Sequence, residues 1–149
     1  MKSVRHLLVL LALLATTACG TVSDWRELQT APMTLGQCFD GLVFVAQTSG
    51  FTADVPECDR GNGKWQSRWR LRQLGLGRPG RYRLRAEVLL EEGSNAKGWP
   101  IRYVVEQQKV KDLRRSMEPA EEDWSSDYQD REAETILGER LSRRLSSKT

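Results

Sequence analysis

The sequence predicts a two-layer α+β domain, with an N-terminal and a C-terminal helix packed on one face of a three- to four-stranded antiparallel sheet. Three observations predict this class. Apolar residues recur at helical spacing near both ends of the chain. Between them, several segments alternate between apolar and polar residues, as half-buried antiparallel strands do. Turns rich in glycine and asparagine separate these segments. Helices on one side of such a sheet enclose a single core.

The first element is a helix predicted over residues 34–49. Thr34 and Gln37 have the spacing of a capping box, and Gly50 followed by Phe51 is typical of a left-handed helix end. The apolar stripe of this helix consists of Leu35, Cys38, Phe39, Leu42, Val45 and Ala46.

Strands follow the helix. A short strand is predicted over 51–55, and three longer ones over 64–74, 81–91 and 101–110. Their inward-facing residues are Trp65, Trp69 and Leu71, then Tyr82, Leu84, Ala86, Val88 and Leu90, then Ile101, Tyr103 and Val105. The hairpin is expected to pair Arg72 with Arg81, or to be displaced from that register by two residues, because both registers keep the core face intact.

Residues 75–80 have the spacing G-x-G-x-x-G of dinucleotide-binding loops. That motif holds a pyrophosphate only where a strand leads into a helix. Here it lies between two predicted strands, so Pro79 and Gly80 are interpreted as a turn. We expect no cofactor and no metal ion.

The C-terminal part begins with an acidic segment and ends in a helix predicted over 128–145. The segment 118–134 contains eight acidic residues and only one basic residue, Arg131. The apolar stripe of the helix consists of Tyr128, Ala133, Ile136, Leu137 and Leu141. Acidic residues at its start and arginines at its end match the helix dipole.

Arginines form the main candidate binding surface. Six are expected on the sheet face opposite the helices: Arg68, Arg70, Arg72, Arg81, Arg83 and Arg85. Arginine binds carboxylates and phosphates through paired hydrogen bonds, so this face is suited to an anionic envelope glycolipid or glycan, or to a partner protein. Alternatively, the acidic segment 118–134 folds back across the sheet, or the face is simply solvated.

The N-terminus has the pattern of an export signal. Lys2 and Arg5 precede an apolar run over 7–14, and small residues follow at 15–18. The sequence T-T-A-C, which ends at Cys19, resembles the lipobox of bacterial lipoproteins. In that family the cysteine is acylated and becomes the mature N-terminus. The same small residues also suit ordinary secretory cleavage.

The cysteine count favours the lipid site. If Cys19 is acylated, Cys38 and Cys58 remain as an even pair in an oxidising compartment. A disulfide between these two would contribute about 3 kcal/mol. The alternative is two buried free thiols, since Cys38 lies on the apolar face of the first helix.

These observations divide the chain into a signal peptide (1–18), a lipid-anchored tether (19–33) and one α+β domain (34–149). Cleavage before Cys19 removes the only histidine, His6, and lowers the net charge from +3 to +1. The mature protein then has no imidazole for acid–base or metal chemistry. We expect no catalytic residues, and the near-neutral charge gives no indication of nucleic-acid binding.

The order of elements is similar to that of the BamC-type helix-grip outer-membrane assembly lipoproteins. The similarity covers roughly residues 34–145 and rests on the layout of helix, antiparallel strands and helix rather than on a shared motif. It implies a non-catalytic envelope lipoprotein that supports assembly of a larger complex. The residue after the cysteine is Gly20 rather than an acidic residue, and in this it resembles lipoproteins that are sent on to the outer membrane. We therefore expect a lipid-anchored accessory protein with an envelope protein partner on the periplasmic face of that membrane.

Overall fold

The computed structural model describes residues 23–115 and 118–146. The predicted signal peptide and the predicted lipid site at Cys19 lie outside the described residues. In the two described ranges, no helix has the length and apolar character needed to cross a bilayer. The predicted α+β class is confirmed, but the antiparallel sheet is larger than the three to four strands expected, because it has six.

Two helices and six strands make up the described fold. The helices are α1 (Leu35–Thr48) and α2 (Arg131–Leu145). The strands are β1 (Arg26–Gln29), β2 (Lys64–Gln66), β3 (Arg70–Gln73), β4 (Pro79–Val88), β5 (Pro100–Val110) and β6 (Trp124–Gln129).

The sheet is built on the long antiparallel hairpin β4–β5. Each of these two strands carries two short strands, one after the other, along its outer edge. Strands β1 and β6 pair with β5, and strands β2 and β3 pair with β4. In the hairpin, Leu84 lies opposite Val105, and each of these residues stands where one short edge strand ends and the next begins.

Strand β1 changes the predicted domain boundary. The sequence predicts a tether over residues 19–33, whereas Arg26–Gln29 pairs with β5 from Tyr103 to Pro100. The sheet therefore starts eight residues before Thr34. Strand β1 alternates between half-buried and exposed residues. Its four-residue sequence is too short and too polar for that alternation to predict a strand.

Helix α1 confirms the predicted caps. The Thr34 hydroxyl accepts a hydrogen bond from the Gln37 backbone N–H at 3.2 Å, and the Gln37 side chain accepts one from the Thr34 N–H at 2.9 Å. The helix ends before Gly50, whose φ of 88° is left-handed. The N–H of Phe51 then donates to the Ala46 carbonyl, which is the expected hydrophobic helix stop.

Helix α2 begins later than predicted. Residues 124–129 form β6, so Tyr128 belongs to a strand rather than to the apolar stripe of the helix. Asp130 is the N-cap and accepts a hydrogen bond from the Ala133 N–H at 3.0 Å. Leu137 and Leu141 are buried as predicted, while Ile136 is exposed.

The core lies between the two helices and one face of the sheet, which we call the helix-covered face. From the sheet it takes mainly the predicted inward residues of β4 and β5, including Leu84, Ala86, Ile101 and Val105. Trp99, just before β5, is buried and donates from its indole Nε1 to the Met33 carbonyl. Val104 is buried on the opposite face, which we call the outer face.

The predicted strand 64–74 is two strands, and the register shifts by one residue between them. Gln66 pairs with Arg85, whereas Arg70 pairs with Tyr82. The buried Ser67 stands at the break. Its N–H donates to the Leu84 carbonyl at 2.8 Å, and its hydroxyl accepts from the Leu84 N–H at 2.9 Å. A shift of one residue moves every later side chain to the other face.

Cys38 and Cys58 are free thiols in the structure, so the predicted disulfide is absent from it. Cys38 is fully buried in the core, and burial raises the pKa of its thiol to about 11. Cys58 is half-buried, and its thiol donates to the Gln66 carbonyl at 3.3 Å. Each side chain therefore has its own packing environment without a bridge.

The two thiols should differ in reactivity. At mildly alkaline pH without reductant, iodoacetamide should alkylate Cys58 first and Cys38 only after unfolding, because the buried thiol with a raised pKa forms little thiolate. Mass spectrometry of the native and the urea-unfolded protein measures both sites. Protection of both cysteines until a reductant is added would instead demonstrate the disulfide.

Candidate functional site

The structure separates the six arginines of the predicted binding surface. Arg81, Arg83 and Arg85 lie on the outer face, as predicted. Arg70 pairs directly with Tyr82, so Arg70 and Arg72 lie on the helix-covered face beside that ring. The prediction of one shared surface was wrong because the register shift at Ser67 reverses the faces of β3.

The same shift brings Trp69 and Leu71 to the outer face, although the sequence placed them in the core. Leu71 is paired with Arg81 and is 75% exposed. Trp69 lies against two guanidinium groups, with its ring centroid 4.6 Å from Arg81 and 4.4 Å from Arg83. Both residues therefore belong to the surface around the arginines.

The outer face is lined by alternating arginine and tryptophan side chains. The Arg81 guanidinium also lies 4.6 Å from the ring centroid of Trp124. The ring of Trp25 contacts two guanidinium groups at 5.3 and 5.1 Å, those of Arg85 and Arg102. We call this the arginine–tryptophan surface: Arg81, Arg83, Arg85, Arg102, Trp25, Trp69 and Trp124.

Each arginine of this surface has a carboxylate partner within the chain. Glu106 on β5 accepts hydrogen bonds from Arg83 at 2.7 Å and from Arg85 at 2.9 Å. Glu87 on β4 accepts from Arg102 at 2.9 Å. These pairs join neighbouring strands on one face, which stabilises the sheet.

Arg81 is held from outside the sheet by the acidic segment. Its guanidinium donates to both carboxylate oxygens of Glu121 and also to the Gln108 side chain at 2.7 Å. Arg81 is only 8% exposed. The alternative in which residues 118–134 fold back onto the arginine face therefore holds at this position, while neighbouring strands neutralise the other arginines of the surface.

The arginines near β3 are more open. Arg72 pairs with Asp130 at 2.5 Å, whereas Arg70 donates to the Gly50 carbonyl at 3.1 Å. Among the described residues, no carboxylate forms an ion pair with Arg68, Arg70 or Arg78. Of the six predicted arginines, the two without an ion pair among the described residues are thus Arg68, which lies just before β3, and Arg70, its first residue.

An apolar cavity lies beside these arginines. Its volume is about 320 Å³, and Leu71, Gln73, Pro79, Pro119 and Trp124 line it together with Arg72 and Gly80. The nearby hairpin turn presents a fully exposed leucine, Leu76, with a left-handed φ of 62°. The predicted turn at Pro79 and Gly80 is wrong: both residues belong to β4 and pair with Gln73 and Arg72. The connection from β3 to β4 lies earlier in the chain, at 74–78.

A second, larger groove of about 550 Å³ runs between β1 and α2. Arg26, Glu139, Ser142 and Arg143 line it, with Tyr103 beneath them. Arg26 is already bonded to the buried Glu134. In the described ranges, no group of three or more histidine, cysteine or acidic side chains is placed to hold a metal ion.

Comparison of the sequence with protein-family models finds no matching family, and comparison with curated proteins finds no match. The site is therefore interpreted from its own geometry. Sequence reasoning did not identify Trp25, Glu87 or Glu106 as partners of the arginines. Alternation on β4 and β5 placed Glu87 and Glu106 on the arginine side, and that was the available signal.

The ion pair of Glu121 should make stability depend on pH. The Arg81 guanidinium lowers the pKa of the Glu121 carboxyl from its usual value of 4.5, mainly through hydrogen bonds. A lowered pKa stabilises the fold above the usual value, and that contribution is lost as the pH falls through the lower value of the folded state.

The urea-unfolding stabilities of the wild type and Glu121→Gln should therefore differ most above the usual pKa of 4.5. They should converge as the pH falls through the lower pKa of the folded state. Tryptophan fluorescence reports both transitions, because Trp124 contacts Arg81. Glu122→Gln is the matched control on the adjacent exposed residue. Parallel stability curves for the wild type and Glu121→Gln would show that the pair does not contribute.

Proposed function

We propose that this chain is a lipid-anchored, non-catalytic accessory protein of the bacterial cell envelope. In this proposal an acylated Cys19 holds the domain at the periplasmic face of the outer membrane. The domain then acts through contacts with an envelope protein partner. The absence of catalysis is inferred from the sequence, since the only histidine precedes the proposed cleavage site.

The observation that carries the proposal is the internal neutralisation of the arginine–tryptophan surface. Its four arginines are each bonded to a glutamate and stacked on a tryptophan. Breaking such pairs to bind an anion would cost their hydrogen bonds and leave carboxylates facing the ligand. The surface is therefore better suited to stiffening the sheet than to binding an anionic glycolipid.

The position of β1 supports a role close to the membrane. Trp25 packs on the outer face and β1 begins at Arg26. Ser23, the first described residue, is four positions after Cys19, and four steps of the chain span at most roughly 14 Å when fully extended. A partner of this domain would therefore itself lie near the membrane surface.

Recognition of an anionic glycolipid or glycan is the second candidate. The observation that favours it is the charge of Arg68 and Arg70, which have no carboxylate partner among the described residues. These two positions are fewer than the six expected, and Arg70 adjoins the exposed Leu71 along β3. That combination is more typical of a protein interface than of a glycan site.

The proposal is tested by lipid labelling and partner capture. Cells that express the wild type should incorporate a radiolabelled fatty acid into the protein, and cells that express Cys19→Ser should not. Partners captured with the anchored wild type and identified by mass spectrometry should be envelope proteins, and their recovery should fall with Cys19→Ser.

Equal labelling of both forms would contradict the lipid site. Cys58→Ser is the matched control, because it removes a half-buried thiol and leaves the proposed signal intact. Recovery of glycolipid without any protein partner would favour the second candidate.

A further inference from the structure

Strand β3 has an unpaired outer edge. The extended segment 52–54 covers the preceding residues, since the Arg68 N–H donates to the Thr52 carbonyl at 2.8 Å and Ala53 forms a bridge with Ser67. This pairing stops before Arg70. From there to Gln73, no other described strand lies beside β3 except β4. The backbone of β3 is thus open to an additional strand.

The hairpin geometry identifies the groups at this edge. The Leu74 N–H donates to the Arg78 carbonyl at 2.8 Å, which makes this a hydrogen-bonded pair. Such pairs recur every second residue in an antiparallel ladder, so the backbone groups of Arg72 and Arg70 face β4. The N–H and carbonyl groups of Leu71 and Gln73 therefore point away from β4, toward the open edge of the sheet.

The two sides of this edge differ in chemistry. On the outer face, Leu71 is exposed beside the 320 Å³ apolar cavity that Pro119 and Trp124 help to line. On the helix-covered face, Arg70 is exposed and lacks a carboxylate partner among the described residues. A strand added here would meet apolar surface on one side and positive charge on the other.

We propose that β3 is a docking edge for an extended acidic segment of a partner protein, which adds to the sheet as an antiparallel or parallel strand. Backbone hydrogen bonds to Leu71 and Gln73 hold the segment. Its apolar side chains pack on Leu71 and reach the cavity, and its alternate acidic side chains pair with Arg70. The inference rests on the proposed function, because it names the surface that contacts the envelope partner.

Charge complementarity and the shape of the cavity favour this occupant over a lipid surface. A bilayer would contact the exposed Leu76 at the hairpin tip, but it has no backbone donors and acceptors for β3. The cavity that Pro119 and Trp124 help to line has room for a large apolar side chain of such a strand. The experiment below distinguishes binding to a lipid surface from binding to a peptide strand.

The probe is a fluorescein-labelled peptide in which glutamate alternates with valine and one central valine is replaced by phenylalanine. It is titrated against the full-length protein in detergent micelles, and binding is followed by fluorescence anisotropy. Two further peptides carry N-methyl groups on the amides of every second residue, in the two alternative phases. One phase should abolish binding and the other should leave it unchanged, because only alternate amides of an added strand face β3.

Variants of the protein locate the site. Leu71→Glu and Arg70→Glu should each weaken peptide binding about tenfold or more. The matched controls are Val55→Glu, at another exposed apolar residue, and Lys97→Glu, at another exposed basic residue. Neither control should change the affinity, and circular dichroism should show the same fold for all four variants.

Three results would overturn the proposal: no binding of the unmodified peptide, equal effects of the two N-methylation phases, or unchanged affinity of both β3 variants. Sedimentation with phosphatidylglycerol vesicles that is lost in Leu71→Glu without any peptide binding would indicate a lipid surface instead. The proposed function is tested separately. If partner capture depends on Cys19 but survives Leu71→Glu, the accessory role stands and the docking edge is rejected.

Discussion

The buried carboxylate of Glu134 is the interaction on which the arrangement of the sheet depends. Strands β1 and β6 occupy the same edge of β5, and neither covers Val105 between them. Glu134, which is fully buried on α2, fills this gap. It accepts hydrogen bonds from the Val105 N–H and the Gln129 side chain through one oxygen, and from Arg26 and Arg131 through the other. One side chain thus joins α2 to three strands, so helix position and strand order are fixed together.

The β4 edge of the central hairpin also has a residue that neither neighbouring strand pairs with, and a single serine bonds to its backbone. Strands β2 and β3 leave Leu84 uncovered, and Ser67 supplies both a donor and an acceptor to its backbone. Because Leu84 lies opposite Val105, both gaps fall on one line across the sheet. The Ser67 gap carries the change of register that opens β3 and exposes Leu71. The one-residue register shift at Ser67, which a simple alternating pattern does not predict, therefore also creates the candidate docking edge.

Much of the fold follows from local patterns in the sequence, and the exceptions have physical causes. The capping residues of α1 predicted that helix because they act on neighbouring positions of the chain. Alternation predicted β4 and β5 because both strands are long and keep one face against the core. Strands β1 and β6 were missed because they are short and mostly polar, and each pairs with only part of β5. The face assignment of β3 failed at Ser67, where one residue changes the register. The internal neutralisation of the arginines depends on which strands are neighbours, and sequence periodicity does not contain that information.

The most direct test of this account is the stability of Glu134→Gln. An amide of the same shape cannot accept hydrogen bonds from all four donors, because its NH₂ group is itself a donor. We expect a loss of about 3 kcal/mol in the free energy of unfolding and faster hydrogen exchange at the Val105 amide. The control Glu132→Gln, on the exposed first turn of α2, should change neither. Unchanged stability with continued protection of Val105 would contradict the central place given to Glu134.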